Sequence, residues 1–582
     1  MDGCIGGGQT PVSHDELNPC DTHKDAAHTS LLLKAQMIAA LLPYVPFRTT
    51  ATVDTPQNQT RVISPRANLG VFLFLFAVVL VLQAASGADH SEFAAYPDEP
   101  SHYITSLMVR DYLAHPSPWS PMDFAREYYR HYPRVALGHW PPFFYITQGL
   151  WMLLFSVSRA SVRIEIAFTT ALMTYLVYSE ALRWFKQRNT AIVAGLLTAF
   201  LPLIQKYTDE EMSEMLLVLV CLASTICFSR YLETGNWKDS VCFGVFFSLA
   251  VLTKGTGWLL ALVVPAAMLL TRRVRLLQRS SFWLWPMIVA VLCIPWQLVT
   301  MPLAVRGWAG GSLPSVQYTL ASAGPLLRIL ISVTGAGLST LVVIGMAVTV
   351  LLPLMRGRRV ESGPAVMLSL IAAVWIFHLI VPVGVEDRKI IIAVPALVLF
   401  LFAGGQWLAD RLPLPSRWSR WRRPLLAGVG ALIFFTTVFE VPRLTHYGYI
   451  EASEFIASRN DLNRSTILVS SNWVGEGLLI SEVAMHEHRP GNVILRATKV
   501  LAHMDWDGST YESLFSTPDH IIHFLDQQHV NLVAIDSFRA FHDLPHNVLL
   551  NEALQDSARF EPLRTFVSDA PSGLIRLYCV KF

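Results

Sequence analysis

Apolar runs recur along the chain, and about 20 such residues form an α-helix long enough to cross the hydrocarbon core of a bilayer. The runs lie at 69–87, 161–182, 190–206, 211–229, 239–253, 256–270, 282–300, 326–353, 365–382, 390–408 and 424–440. Only 15% of the 582 residues are charged and 53% are hydrophobic, which excludes a single water-soluble globule. The sequence therefore predicts an α-helical polytopic membrane protein with about 11 transmembrane helices.

Basic residues are concentrated in alternate connections between these runs. They are Arg183, Lys186 and Arg188; Arg230 and Lys238; Arg272, Arg273, Arg275 and Arg279; Arg356, Arg358 and Arg359; and Arg411, Arg417, Arg420, Arg422 and Arg423. Because cytoplasmic loops carry the excess of arginine and lysine, we expect these connections in the cytoplasm and the others on the outer side.

Composition divides the chain into three parts. Residues 1–66 lack the succession of a basic, an apolar and a small-residue region that marks a cleavable signal peptide. We therefore expect a mostly disordered cytoplasmic tail. Residues 67–442 contain the apolar runs. In 443–582, short apolar stretches such as "TILVSS", "NVILRA" and "NLVAIDS" alternate with helical patterns such as "PDHIIHFLDQQH". This alternation predicts a small α/β domain, which an odd number of spans from a cytoplasmic N-terminus places outside the cytoplasm.

The connection after the first run, residues 88–160, ends in an ambiguous stretch. "HWPPFFYITQGLWMLLFSVS", at 139–158, is apolar but short, has two prolines near its start and contains Gln148. The distribution of basic residues does not decide whether it crosses the bilayer. We interpret it as an aromatic helix in the membrane interface, which keeps the whole connection on the outer side.

Two adjacent carboxylates, Asp98 and Glu99, precede Pro100 in this connection. Proline suits the first turn of a helix and carboxylates suit its positive N-terminal end, so helix capping is one explanation of the pair. The pair also follows an apolar run, on the side where other charges lie at membrane depth. Such charges are costly and usually mark a substrate path, which favours a functional role.

Further charged residues lie at the outward ends of the runs. The acidic ones are Asp209, Glu210, Glu211 and Glu214, and the basic ones are Lys254, Arg306, Arg388 and Lys389. Glu214 lies deepest, so we expect it to face a cavity, whereas the other carboxylates could belong to a solvated loop. Each cation alone could extend to lipid head groups. Several cations at one membrane face would instead bind an anion, for which a lipid phosphate is the obvious candidate.

The histidines of the first outer connection do not form a metal-binding pattern. They are His90, His102, His115, His131 and His139. Their spacing is not that of ligands to one metal ion, so surface or aromatic-cluster roles are favoured. We expect that no cofactor is required, although a divalent metal would be compatible with the site.

Four stretches, in this order and spacing, resemble a known enzyme family. They are "YPDEPSHYITSLMVRDYL", "PPFFYITQGLWMLLF", "LTKGTGWLLALVVP" and "DRKIIIAVPALVLF". They look like the dolichyl- or polyprenyl-phosphate-sugar-dependent membrane glycosyltransferases of the GT-C fold, in particular protein O-mannosyltransferases and bacterial aminoarabinose-to-lipid-A transferases. The resemblance extends from about residue 69 to 410 and implies a GT-C-like catalytic domain in the bacterial inner membrane.

The resemblance assigns roles to the acidic residues. Asp98 matches the catalytic base, and Glu99 would support acceptor or helix geometry. The second acidic residue of the family opens the fourth span, which Glu214 matches best, with Asp209 and Glu210 as alternatives.

The remaining matches concern the donor. Thr253, Lys254 and Gly255 match a Thr-Lys-Gly turn of the family, whereas Trp140 stands where the aminoarabinose transferases often have a lysine. A sugar on a lipid phosphate already has a good leaving group, so the reaction needs a base, cations for the departing phosphate and fixed geometry. We expect the cations to be Lys254, Arg306, Arg388 and Lys389.

The leading hypothesis is a glycosyltransferase that moves a monosaccharide from a polyprenyl-phosphate donor to an extracytoplasmic hydroxyl, with inversion at the anomeric carbon. Its partners would be the lipid-linked donor and membrane lipids, with no nucleic acid. The sugar is open, and the acceptor could be a protein, a lipid or a glycan. Two alternatives remain: a transporter or flippase of lipid-linked sugars, for which no repeat is visible, and a non-catalytic envelope assembly protein.

Overall fold

The computed structural model describes residues 52–54, 60–62, 65–115, 120–136, 138–307, 314–413, 415, 421–504, 510–537, 543–569 and 573–581. The prediction of a disordered tail at 1–66 falls almost entirely outside these residues. Within them, strands β1 (Thr52–Asp54) and β2 (Thr60–Val62) pair antiparallel.

Helices occupy most of the apolar part of the chain. They are α1 (Pro65–Ala85), α2 (Glu99–Ala114), α3 (Pro121–His131), α4 (Phe143–Leu154), α5 (Arg159–Phe185), α6 (Arg188–Phe200), α7 (Pro202–Asp209), α8 (Glu214–Thr234), α9 (Trp237–Thr253), α10 (Leu260–Leu270), α11 (Leu284–Gly307), α12 (Val316–Ser332), α13 (Gly335–Met346), α14 (Leu352–Met355), α15 (Ser362–Ile380), α16 (Val394–Arg411) and α17 (Arg422–Thr437). A π-helical turn, Ala347–Leu351, joins α13 to α14. The polytopic helical architecture predicted from the apolar runs is confirmed.

The predicted count of about 11 spans is not confirmed. Among the described residues, seven helices are long and apolar enough to cross a bilayer, and eight if the bent pair α6 and α7 counts as one span. The predicted run 326–353 is divided between α12 and α13, because Gly335 adopts a left-handed φ of 72°. Apolar composition continues across such a break, so it does not reveal the break.

Helix α4 is shorter than a membrane span. Its 12 residues rise about 18 Å at about 1.5 Å each, whereas the hydrocarbon core is about 30 Å thick. This length agrees with the interpretation of 139–158 as a helix in the interface rather than a crossing.

Residues after α17 form the predicted α/β domain. Its strands are β3 (Thr466–Ser470), β4 (Val493–Arg496), β5 (Ala502–Met504), β6 (Tyr511–Ser513), β7 (Val530–Asp536), β8 (Phe560–Val567) and β9 (Leu574–Val580). Its helices are α18 (Tyr449–Ser458), α19 (Trp473–His486), α20 (Ala497–Val500), α21 (Pro518–Gln527) and α22 (Pro545–Ala553). The main sheet has the order β4-β3-β7-β9-β8, in which β3 is parallel to β4 and β7, and β9 is antiparallel to its neighbours.

The α/β domain packs against α2. Tyr103 of α2 and Leu479 of α19, both fully buried, belong to one apolar core, and burial of each side chain contributes about 1.5–3 kcal/mol. Arg489 Nε also lies 2.7 Å from Asp111 Oδ2 of α2. The domain is therefore on the side of the helical bundle that carries Asp98, which we call the Asp98 face.

Candidate active site

Asp98 is not used as a helix cap. It occupies the N-cap position of α2, with Pro100 in the first turn, but its side chain makes no capping hydrogen bond. Its Oδ2 lies instead 3.4 Å from Nη1 of Arg388, and its side chain remains 31% exposed. Capping alone therefore does not explain this carboxylate, which is accessible to a substrate.

Glu99, in contrast, is fully buried. Its carboxylate accepts hydrogen bonds from the backbone amides of Tyr96, at 2.9 Å, and Glu211, at 2.6 Å. Burial raises the pKa of Glu99. These contacts fasten the start of α2 to the turn between α7 and α8, so Glu99 can position Asp98 without contacting a substrate.

We expect Glu99→Ala to destabilise the protein by about 2 kcal/mol, because two buried amides lose a charged acceptor. The measurement is thermal unfolding of the detergent-solubilised protein. Glu127→Ala is the matched control, because Glu127 forms a more exposed pair with Arg130 and should cost less than about 0.5 kcal/mol. Equal unfolding temperatures for the two variants would contradict the positioning role.

Two of the predicted cations pair with Asp98 and Glu214, and a third, Lys389, directly follows Arg388 in the chain. Arg388 lies with its guanidinium carbon 4.4 Å from the centre of the Tyr96 ring and also pairs with Glu386. Lys254, at the end of α9, forms an ion pair with buried Glu214, at the start of α8. The loops that follow several different spans thus bring their charges to one place on the Asp98 face.

Lys389 is the cation of this group whose charge is least compensated. It is buried, and among the described residues its ammonium group has no carboxylate within ion-pair distance. Burial and the nearby charges of Lys254 and Arg388 together lower its pKa to about 8. The cluster therefore has a cation available for an additional anion.

Aromatic side chains adjoin the group of Asp98, Glu214, Lys254 and Arg388, which together with Lys389 we call the cleft. Nδ1 of His102 lies 2.9 Å from the Tyr145 hydroxyl of α4. The His102 ring centre is 4.4 Å from that of Trp140, which also contacts His139. Burial lowers the pKa of His102 to about 4, so its imidazole is neutral at neutral pH. These aromatic side chains therefore form an uncharged border of the cleft.

The carboxylates between α7 and α8 separate into different environments. Asp209 lines a small cavity inside the bundle together with Gln83, and the nearest charges that act on it are those of Arg163 and Glu99. Glu210 is buried, and the charges of Glu99 and Lys206 act on it.

Glu211 hydrogen-bonds to Gln148 of α4. Glu214 therefore remains the acidic residue of this group that directly pairs with a cation of the cleft. The side chain of Arg306 lies outside the described part of the structure, so its assignment stays a prediction.

Three residues that support the cleft, Asp387, Lys206 and Tyr207, were not singled out from sequence. Asp387 accepts hydrogen bonds from Lys206 Nζ, at 2.7 Å, and from the Tyr207 hydroxyl, at 2.6 Å. These two hydrogen bonds connect the α15–α16 connection to α7 and so fix the position of the adjoining Arg388. The sequence shows an acidic doublet directly before Arg388. It does not show that Asp387 contacts a cation as distant in the chain as Lys206.

One group of described residues has side chains close enough together to hold a metal ion. Glu92, His446 and Glu451 have ligand atoms within 4.8 Å of one another. Glu92 already accepts the amides of Tyr447 and Tyr449, and His446 Nε2 lies 3.0 Å from Glu451. These contacts are those of a helix anchor at the start of α18, and none of the five histidines considered from sequence belongs to this group.

Comparison with known proteins locates this arrangement in a fold family. Residues 139–298 match the family model described as dolichyl-phosphate-mannose-protein mannosyltransferase. The structure of ArnT from Cupriavidus metallidurans bound to undecaprenyl phosphate aligns with a TM-score of 0.55 at 14% identity, covering 87% of this chain and 98% of that one. The chain has the GT-C fold.

The apo structure of the same ArnT aligns with this GT-C chain at a TM-score of 0.54 and 15% identity, covering 88% and 98% of the two chains. The oligosaccharyltransferase AglB from Archaeoglobus fulgidus, in complex with an inhibitory peptide and a dolichol-phosphate, gives 0.49 at 11% identity, covering 88% and 74%. Among curated proteins, none matches. The predicted resemblance is confirmed at the level of fold, and the matched segment contains Glu214 and Lys254.

Proposed function

We propose that this GT-C protein transfers a monosaccharide from a polyprenyl-phosphate donor to an acceptor hydroxyl on the Asp98 face. One observation carries the proposal. The Asp98 side chain makes no capping hydrogen bond and lies 3.4 Å from Arg388, in the group of cations that also contains Lys254 and Lys389. We further propose that the Asp98 face is the extracytoplasmic side of a bacterial inner membrane, as the arrangement of basic connections indicates.

The cationic group suits the head group of the donor. Arg388 presents a planar fork of donors that fits phosphate oxygens, and Lys389 adds a positive charge without a described carboxylate partner. ArnT, which has the same fold, was solved with undecaprenyl phosphate bound, and this supports a lipid phosphate as the anion here.

Asp98 would act as the general base. In the proposed step, the acceptor oxygen forms a bond to the anomeric carbon while the bond from that carbon to the phosphate oxygen breaks. The acceptor proton passes to Asp98, and the phosphate leaves as an anion held by the cations. A single displacement of this kind inverts the anomeric configuration.

The proposal is tested by mass spectrometry of envelope lipids, glycans and proteins. A deletion strain is complemented with the wild-type gene or with Asp98→Asn. We expect a sugar-bearing species that is absent from the deletion strain and returns only with the wild type. An unchanged envelope in the deletion strain, grown under conditions where the protein is made, would refute a transferase.

Lys389 gives the proposed donor site a pH dependence. Above its pKa of about 8 the side chain loses its charge, whereas the lipid phosphate, whose second pKa is about 6, remains a dianion. Affinity for undecaprenyl phosphate should therefore fall about tenfold between pH 7 and pH 9.5. Lys389→Arg stays charged over this range and should show nearly constant affinity. The affinities are measured by binding titrations at fixed ionic strength. If the affinity of both proteins fell equally with pH, Lys389 would not belong to the donor site.

A further inference from the structure

Arg134 lies near the first turn of α2, and part of its guanidinium group has no hydrogen-bond partner among the described residues. It belongs to the loop between α3 and α4, and its Nε and Nη2 atoms are buried and unpaired among the described residues. A Cβ atom placed on Gly477 of α19 would lie 3.2 Å from Arg134 Nε and 3.0 Å from Cγ of Pro100. The guanidinium group thus lies between the α/β domain and the first turn of α2, two residues from Asp98.

Among carboxylates, the charge of Glu476 acts most strongly on this guanidinium, and Glu476 already has other partners. Glu476, fully buried, accepts hydrogen bonds from Arg496 Nε, at 2.8 Å, and from the amide and hydroxyl of Thr498, at 2.8 and 2.6 Å. Burial, together with the neighbouring charge of Arg496, lowers the pKa of Arg134 to about 9. Glu476 is therefore paired with Arg496, and Asp98, the other carboxylate whose charge acts on Arg134, is paired with Arg388. Arg134 is left without an ion-pair partner among the described residues.

An uncompensated buried cation is costly, and such groups persist in binding sites where a ligand supplies the missing partner. We propose that Arg134 and Arg496 bind an anionic group, phosphate or carboxylate, on the acceptor. This inference rests on the proposed transferase function. Two cationic sites would then lie near Asp98: Arg388 would bind the donor phosphate, and Arg134 would bind the anionic group of the acceptor.

The test uses the full-length protein saturated with undecaprenyl phosphate, so that the donor site is filled, and inorganic phosphate or acetate as the probe. Binding of at least one probe is expected, and Arg134→Met should weaken it at least about tenfold through loss of charge-assisted hydrogen bonds. Arg130→Met is the matched control, because Arg130, in the last turn of the preceding helix α3, is 75% exposed. Preference for phosphate or for acetate identifies the anion.

A stability measurement separates ligand binding from a structural role. Because Nε and Nη2 of Arg134 have no hydrogen-bond partner among the described residues, Arg134→Met should unfold at the same or a higher temperature than the wild type, whereas a structural arginine would give a lower one. Failure of the wild type to bind either probe, or equal probe binding by Arg134→Met, would overturn the acceptor site. Failure of undecaprenyl phosphate to bind the wild type would instead count against the proposed function.

Discussion

Asp98→Asn should abolish sugar transfer while leaving the protein folded and able to bind its donor. The amide has the shape of the carboxylate but does not accept the acceptor proton, and loss of a general base lowers the rate by about 10²–10⁴-fold. Little stability should be lost, because Asp98 makes no capping bond and its contact with Arg388, at 3.4 Å, is partly exposed. The measurement is turnover of a polyprenyl-phosphate sugar in proteoliposomes, together with the unfolding temperature.

Asp89→Asn is the matched control for this experiment. Asp89 lies in the same loop, but its side chain is 52% exposed and forms an ion pair with His90 and not with a cation of the cleft. We expect wild-type turnover from that variant. Full turnover by Asp98→Asn would remove the catalytic assignment, and equal losses in both variants would show that any charge change in the loop is harmful.

The fold class was predictable because it depends on properties that neighbouring residues share. Apolar runs of membrane-spanning length identify helices, and alternating short strands and helices identify the α/β domain. The breaks were not predictable in the same way. The run 326–353 reads as continuous, and it takes the backbone conformation of Gly335, with φ 72°, to show that one apolar run is two helices.

The composition of the cleft was predictable, but its geometry was not. Charges at the ends of apolar runs identified Asp98, Glu214 and Arg388 as candidates. Asp98 and Arg388 are 290 residues apart in sequence, and no local pattern gives the packing that brings them together. Burial also separates residues that look equivalent in sequence: Asp98 is accessible, whereas the adjacent Glu99 is enclosed and bonded to backbone amides.

Arg388→Gln should produce the largest loss of donor affinity. Its guanidinium group contacts Asp98 and Glu386 and stacks on Tyr96, so its fork is held in a fixed direction before the donor binds. Each charge-assisted hydrogen bond to phosphate contributes about 1.5–3 kcal/mol, and the loss of two raises the dissociation constant for undecaprenyl phosphate by about 100-fold or more. Binding titrations with the lipid in detergent micelles measure this constant.

Arg388→Lys separates charge from geometry. Lysine keeps the positive charge but lacks the planar fork, so its loss of affinity should be intermediate, about tenfold. Arg275→Gln, at an exposed position beyond the other end of α10, should bind undecaprenyl phosphate like the wild type. If all three variants bound the lipid equally, the anion would be held elsewhere, and the pairing of Arg388 with Asp98 would serve only to fix the loop. If Arg388→Lys matched the wild type while Arg388→Gln did not, charge alone would account for donor binding.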